Sequence, residues 1–303
     1  MKKFNIVFVL LIVFALVFNF SSMLSKAIAS TVKTTVSSTK TPTKMPAPSK
    51  TPTKAPTKKP TKTPTPAPTP TISPTKSIAW AFEPSVDHKT PKIPTQTKEL
   101  FKKYGAYYVN NTKSKVVYLT FDLGYENGYT TKILDVLKKH KIKAAFFICK
   151  GVISKNPDGI KRMVKEGHIV ANHTVNHLNL ATLKESKIKS ELEGVSKAYK
   201  KLTGKEMVKI VRPPSGNYSE NSLATLKKLG YTPVFWSLSL HNDWNMKKQP
   251  SKAEALALFP EYSHNGAIIL LHAVSPTVAN NLDTMLTQLE KQGYAFRSIL
   301  DLK

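Results

Sequence analysis

Asp122, the pair His173 and His177, Arg212, Asp243 and His272 are the residues of this sequence whose types and placement suit chemistry: carboxylates, imidazoles and a guanidinium, each at or soon after the end of an apolar run. The run Val116-Val117-Tyr118-Leu119-Thr120-Phe121 ends in Asp122-Leu123-Gly124, as a buried strand does when it delivers an acid to a loop. His173 and His177 are four apart, so on a helical turn their rings lie on one face and can share a cation. Taken singly, each group has an ordinary structural role. An aspartate after a strand caps a turn, histidines sit in satisfied cores, and an arginine with an aspartate makes a salt bridge. Their shared position argues for function, because scattered groups would fall on helices and surface loops as well. His88, His140, His168, His241 and His264 lack that setting and read as structural, with His241 the open case.

The elements that must place these groups alternate between strand and helix. Strands are expected over 115–122, 144–149, 167–172, 207–212, 232–238, 266–271 and 295–299, from their short apolar, β-branched and aromatic runs. Helices are expected over 98–108, 130–140, 157–166, 185–202, 219–229 and 251–262, with a last one marked by Leu282, Met285, Leu286 and Leu289. Trp80 and Phe82 read as an arm packing on the body. Such alternation implies a parallel sheet with right-handed crossovers. No G-x-G-x-x-G or G-x-x-x-x-G-K follows a strand, which argues against a nucleotide fold. The expected class is therefore α/β, a distorted or incomplete (β/α) barrel, whose active site gathers where the strands end.

Three regions differ in composition. Residues 1–29 pair Lys2 and Lys3 with the apolar run 6–18 and reach Ala27-Ile28-Ala29, the order of a signal peptide; an uncleaved membrane anchor is the alternative. Residues 30–76 are a Thr/Pro/Lys tract without an acidic residue, which cannot bury a core and reads as a disordered linker. Residues 77–303 are one domain, near the usual barrel size of about 250 residues. The chain is thus expected outside the cytoplasm, secreted or membrane-tethered and associated with the cell wall, with any membrane contact confined to the N-terminal segment.

The net charge is +27, of which residues 1–76 supply twelve lysines, leaving +15 for the domain. With an export signal that balance points to anionic cell-wall polymers rather than nucleic acid, although a lysine-rich solvated surface accounts for part of it. The single cysteine, Cys149, excludes an internal disulfide and ends an apolar run, as a buried structural thiol does. Stability must come from a hydrophobic core.

With these residues in view, the sequence resembles the NodB-homology polysaccharide deacetylases, carbohydrate esterase family 4. The resemblance covers about 80–302 and rests on Thr120-Phe121-Asp122, His173-Thr174-x-x-His177, Arg212-Pro213-Pro214-x-Gly216, Asp243-Trp244 and Leu270-x-His272, in the family's order. The run 124–130, with Trp236-Ser237 and His272-Ala273-Val274-Ser275, is most similar to the branch acting on N-acetylmuramic acid of peptidoglycan, in forming the muramic δ-lactam of spore cortex. The resemblance implies a barrel of the polysaccharide deacetylase type and removal of N-acetyl groups from peptidoglycan glycan strands. It implies a divalent metal, Zn²⁺ by expectation, held by His173 and His177. Asp122 is the implied general base, Arg212 its partner, His272 the general acid and Asp243 its orienting carboxylate. Ser215, through its backbone N–H, Trp244 and Leu270 are the implied substrate-binding residues.

Two departures stand out. Most of the family carries a second, metal-binding aspartate where this chain has Leu123, and the muramic branch has asparagine there. The resemblance thus predicts weaker metal retention, which Leu123→Asp would tighten. The segment before Asp243 is also one residue longer than in that branch, which brings His241 near. Alternatives left open are deacetylation of chitooligosaccharides or N-acetylglucosamine units, xylan acetyl ester hydrolysis, and a wall-binding protein with catalysis impaired by Leu123.

Overall fold

The computed structural model describes residues 76–84 and 86–303, which fall in one compact unit. The signal or anchor over 1–29 and all but the last residue of the 30–76 linker lie outside the described residues. Among those described, no helix is long and apolar enough to cross a membrane.

The chain forms β1 (Ile78–Ala79), β2 (Val116–Leu123), β3 (Ala145–Ile148), β4 (Ile169–Asn172), β5 (Ile210–Val211), β6 (Asn217–Tyr218), β7 (Thr232–Pro233), β8 (Leu238–Ser239), β9 (Ala267–His272) and β10 (Ala295–Phe296). The main sheet is parallel throughout in the order β7-β5-β4-β3-β2-β9-β8, with β10 pairing the start of β2. Its edges, β7 and β8, are separated in the chain only by Val234–Ser237. In a flat sheet they would stand about 29 Å apart, six spacings of about 4.8 Å. Five peptide steps span at most about 18 Å. The sheet must therefore curl, and an incomplete barrel results. Tyr107 bridges to Val234 and Val109 to Ala267, so one short segment links the two sides of the gap.

β2 shows how the sequence sorts its faces. Val117, Leu119, Phe121 and Leu123 enter the main apolar cluster with Ile133, Leu134 and Leu137 of the helix Thr130–Lys139 and with Leu282, Met285, Leu286 and Leu289 of the helix Pro276–Lys291. Tyr118 joins the smaller cluster with Phe147, Ala171, Val234 and Ile268, and Asp122 shares its face. Trp80 of the N-terminal arm packs on Phe101, Tyr108 and Phe235, while β1 pairs antiparallel with β6.

Three expectations are corrected. The run 232–238 is two short strands, because between them Val234 and Phe235 pair with Tyr107 instead of continuing along β5, while their side chains enter two different clusters. The first helix spans Thr95–Tyr104 and stops at Gly105, whose φ of 68° ends it as a left-handed cap. A short helix, Lys150–Lys155, follows β3 where none was expected.

Candidate active site

Parallel pairing brings the strand ends to one rim. Asp122 is registered opposite His272 across β2 and β9, and β3 and β4 lead round to His173. The Arg212 backbone N–H donates to Asn172 O at 3.1 Å, which fixes the arginine beside that histidine. Arg212 is fully buried. Its Nη1 donates to Asp122 Oδ1 at 2.7 Å, its Nε to Val234 O at 3.1 Å and its Nη2 to Phe235 O at 3.2 Å, and its Cζ lies 4.1 Å from the Phe147 ring centre. Burial alone would raise the Asp122 pKa, but Arg212, His173 and His272 together outweigh it and hold the carboxyl below its ordinary range. The acid is thus ionised in a site largely closed to water.

His173 and His177 do not share a helical turn, contrary to the sequence reading. They sit in the loop after β4, where Thr174 (φ 70°) and His177 (φ 54°) adopt left-handed backbone. That bend brings the rings to 4.8 Å between centres at 72°. Asn172 Oδ1 accepts the Thr174 N–H, Thr174 Oγ1 accepts the His177 N–H, and buried Glu191 accepts from both the backbone and the amide of Asn176. These contacts hold a backbone that two non-glycine residues would otherwise avoid.

The His173 ring nitrogens are assigned by their partners. A carbonyl only accepts, so Nδ1, 2.9 Å from Arg212 O, carries the proton and Nε2 keeps its lone pair. Burial pushes the His173 pKa down to about 4, and the surrounding protein lowers that of His177 as well. Nε2 of His173 faces Asp122 Oδ2 at 3.6 Å. Two electron-pair donors facing each other with a second imidazole alongside is a donor set that suits a divalent cation. Among the described residues no three His, Cys, Asp or Glu side chains close a full cage, so the pair fits an open shell completed by water, substrate or Asp122.

Leu123 supplies no donor. It packs with Val117, Leu119 and Phe121 in the main apolar cluster, on the face of β2 opposite Asp122. A carboxylate there starts from the apolar face, so for Leu123→Asp to tighten metal binding its side chain must turn at the strand end toward the histidines.

Across the rim, His272 Nδ1 donates to Asp243 Oδ1 at 2.7 Å, and the His272 backbone N–H donates to Asp243 Oδ2 at 2.7 Å. Burial works against the imidazolium, but the charge and hydrogen bond of Asp243, then the charge of Asp122, raise its pKa above the ordinary 6.5. Gln249 donates to the Asp243 and Asn245 carbonyls and accepts from the Ser275 hydroxyl, bracing this loop. Leu270 is buried two residues before His272 on the same strand face. Ser215 is exposed with φ 54° inside the turn Pro214–Gly216, and Trp244 stands 56% exposed beside Asp243. His241 is exposed and faces the groove lined by Trp236, Glu254 and Tyr262. Cys149 is buried, donates to His173 O at 3.2 Å and has its thiol pushed up to about 12, a packing residue rather than a nucleophile.

Sequence reasoning did not single out Asn172, Glu191 or Gln249. Glu191 left one signal, a lone acid among the apolar positions Ile188, Leu192 and Val195 of its helix.

Comparison with known proteins bears on this constellation. Residues 109–234 match the polysaccharide deacetylase family model. The chain is 46% identical over 225 residues to the peptidoglycan-N-acetylmuramic acid deacetylase PdaA of Bacillus subtilis, covering 74% of this chain and 85% of that protein. The solved PdaA structure, a family 4 carbohydrate esterase, superposes with a TM-score of 0.72 over 75% of this chain and 97% of that one. A peptidoglycan-N-acetylglucosamine deacetylase of Bacillus cereus is 32% identical over 203 residues, covering 66% of this chain and 92% of that protein. A family 4 pseudoenzyme of Bacillus anthracis is 28% identical with a TM-score of 0.60, covering 65% of this chain and 68% of that chain.

Proposed function

This chain belongs to the polysaccharide deacetylase family, and on that premise we propose that it hydrolyses N-acetyl groups from peptidoglycan glycan strands, N-acetylmuramic acid being the sugar attacked. The observation that carries the reading is one rim holding an ionised buried acid, Asp122, and an imidazole kept protonated, His272, on adjacent strands. An amide needs both: a base for the attacking water and an acid for the departing amine.

A divalent cation at His173 and His177, with Zn²⁺ the natural candidate, would polarise the acetyl carbonyl and acidify the attacking water. Asp122 takes the proton from that water, held in place by the Arg212 bond. His272 Nε2 gives its proton to the sugar nitrogen as the C–N bond breaks, leaving acetate and a free amine. Asp243 holds the His272 ring by Nδ1 and so directs Nε2 to the rim. A backbone N–H at the Ser215 turn faces the developing oxyanion, and Leu270 and Trp244 border the acetyl group. The apolar N-terminal run and the acid-free basic tract support a site of action outside the cytoplasm, in the wall or spore cortex.

Leu123 favours a second reading, a wall-binding protein with impaired turnover, since the fold also occurs in a pseudoenzyme. Acetate release from purified, peptide-free glycan strands separates the two. Release that chelator abolishes and added divalent metal restores supports the deacetylase. Strand retention without acetate under any metal supports the second reading.

A further inference from the structure

The helix Glu185–Thr203 carries two residues that its own stability does not call for. Glu191 is a carboxylate buried in line with Ile188, Leu192 and Val195, and Gly194 stands mid-helix, where glycine is disfavoured more than any residue but proline. Gly194 keeps right-handed backbone, so no left-handed turn requires it. Both residues face the loop that carries the two rim histidines. Glu191 accepts the Asn176 backbone N–H and the Asn176 side-chain amide, each at 2.8 Å, and pairs with Lys187 Nζ at 3.0 Å. One residue on, Leu192 O accepts the Asn172 amide at 2.9 Å. Val175, between His173 and His177 in the chain, lies over Gly194. A Cβ at position 194 would stand 2.5 Å from Val175 Cγ2, inside the roughly 3.5–4.0 Å of ordinary carbon contact. Leu192, Gly194 and Glu191 thus meet the loop at its start, middle and end.

We propose that Glu191 and Gly194 are positioning residues for cation binding: the helix face they form fixes the separation and aim of His173 and His177 before a divalent cation arrives, and so sets its affinity. This rests on the metal reading above. Two imidazoles make a weak site unless they are held in place, because ordering a free loop on binding offsets part of the affinity. The need is sharper here, since Leu123 supplies no donor and no three donor side chains among the described residues close a cage. Thr174 and His177 hold left-handed backbone that would relax if the loop came off the helix, turning the rings apart. Val175 is β-branched and packs against the main apolar cluster, so its methyl groups do not swing clear of a new Cβ without leaving that cluster. Gly194 therefore sets how close the loop lies, and Glu191 sets where its far end is held.

The test measures the Zn²⁺ affinity of the metal-stripped full chain by competition with a chromogenic chelator, beside urea unfolding without metal, with His173→Ala as the blank. Gly194→Ala is expected to raise the Zn²⁺ Kd about 10–100-fold, the usual cost of disturbing groups that orient metal ligands. Glu191→Gln, which keeps the shape but only one acceptor oxygen, should raise it about tenfold. Adding Val175→Ala to Gly194→Ala removes the clash and should return the Kd to that of Val175→Ala alone. A merely structural role would shift the urea midpoint and leave the Kd of the folded protein unmoved. That result, or a loss in Gly194→Ala that Val175→Ala fails to relieve, would overturn the positioning role while the metal reading stands. If wild type holds Zn²⁺ no better than His173→Ala, the metal reading itself falls, and the proposal with it.

Discussion

His173, buried, and His272, partly buried, flank Asp122, yet their surroundings push them in opposite directions. His173 donates its Nδ1 proton to a backbone carbonyl, and burial takes its pKa down to about 4, so it offers a lone pair. His272 donates its Nδ1 proton to a carboxylate, and Asp243 overcomes burial to raise it above 6.5, so it offers a proton. A neutral acceptor makes an electron-pair donor and a charged one makes an acid. His168, at the other end of the barrel, shows that a depressed pKa alone is no site. Burial lowers it to about 4 too, but its Nδ1 accepts the Ala144 N–H, which puts the proton on Nε2 and leaves no lone pair to offer.

The largest effects are expected from breaking the pair that does proton transfer. Asp122→Asn and His272→Gln should each cut acetate release by about 10²–10⁴-fold, the usual worth of a general base or acid. Loss under tenfold in either would reassign that role. Next comes Arg212→Met, which strands a buried carboxylate and should cost about 3–5 kcal/mol in urea unfolding, as broken buried pairs do. Leu123→Asp should also destabilise the protein, by about 1–3 kcal/mol if its carboxylate finds no partner in the apolar cluster. If it instead tightens metal binding with stability intact, residue 123 faces the histidines and the face assignment of β2 is wrong. The smallest effect belongs to the control: His168→Gln should leave kcat within about twofold, as expected of a residue outside the reacting groups.

The strand ends were legible because an apolar run that stops at a charged residue is the mark of a buried strand meeting a loop, as at Phe121-Asp122 and Leu271-His272. The left-handed turn at Thr174 and His177 was not, since neither residue favours it and only the contacts of Asn172 and Glu191 sustain it. The split between β7 and β8 was equally hidden. Val234, Phe235 and Trp236 read as a strand because they are apolar and aromatic, but Val234 and Phe235 pair with Tyr107 and their side chains enter different clusters. Ser215, expected to act through its backbone N–H, and Trp244, expected to act through its ring, are both exposed, a depth that sequence pattern does not give.

His272 and Asp122 also give the stability of the fold a pH dependence. Because His272 titrates higher folded than unfolded, its pairing with Asp243 stabilises fully below the ordinary 6.5 and is lost as pH rises through the raised value. Asp122 behaves oppositely: its contribution is present above the ordinary 3.8 and is lost as pH falls through its lowered value. The most direct test of the opposed pair is the pH profile of acetate release from glycan strands, wild type against Asp243→Asn. Wild type should show a basic limb above the ordinary 6.5 that moves to lower pH in the variant, where burial is no longer opposed. A limb that does not move would contradict His272 as the acid that Asp243 keeps protonated.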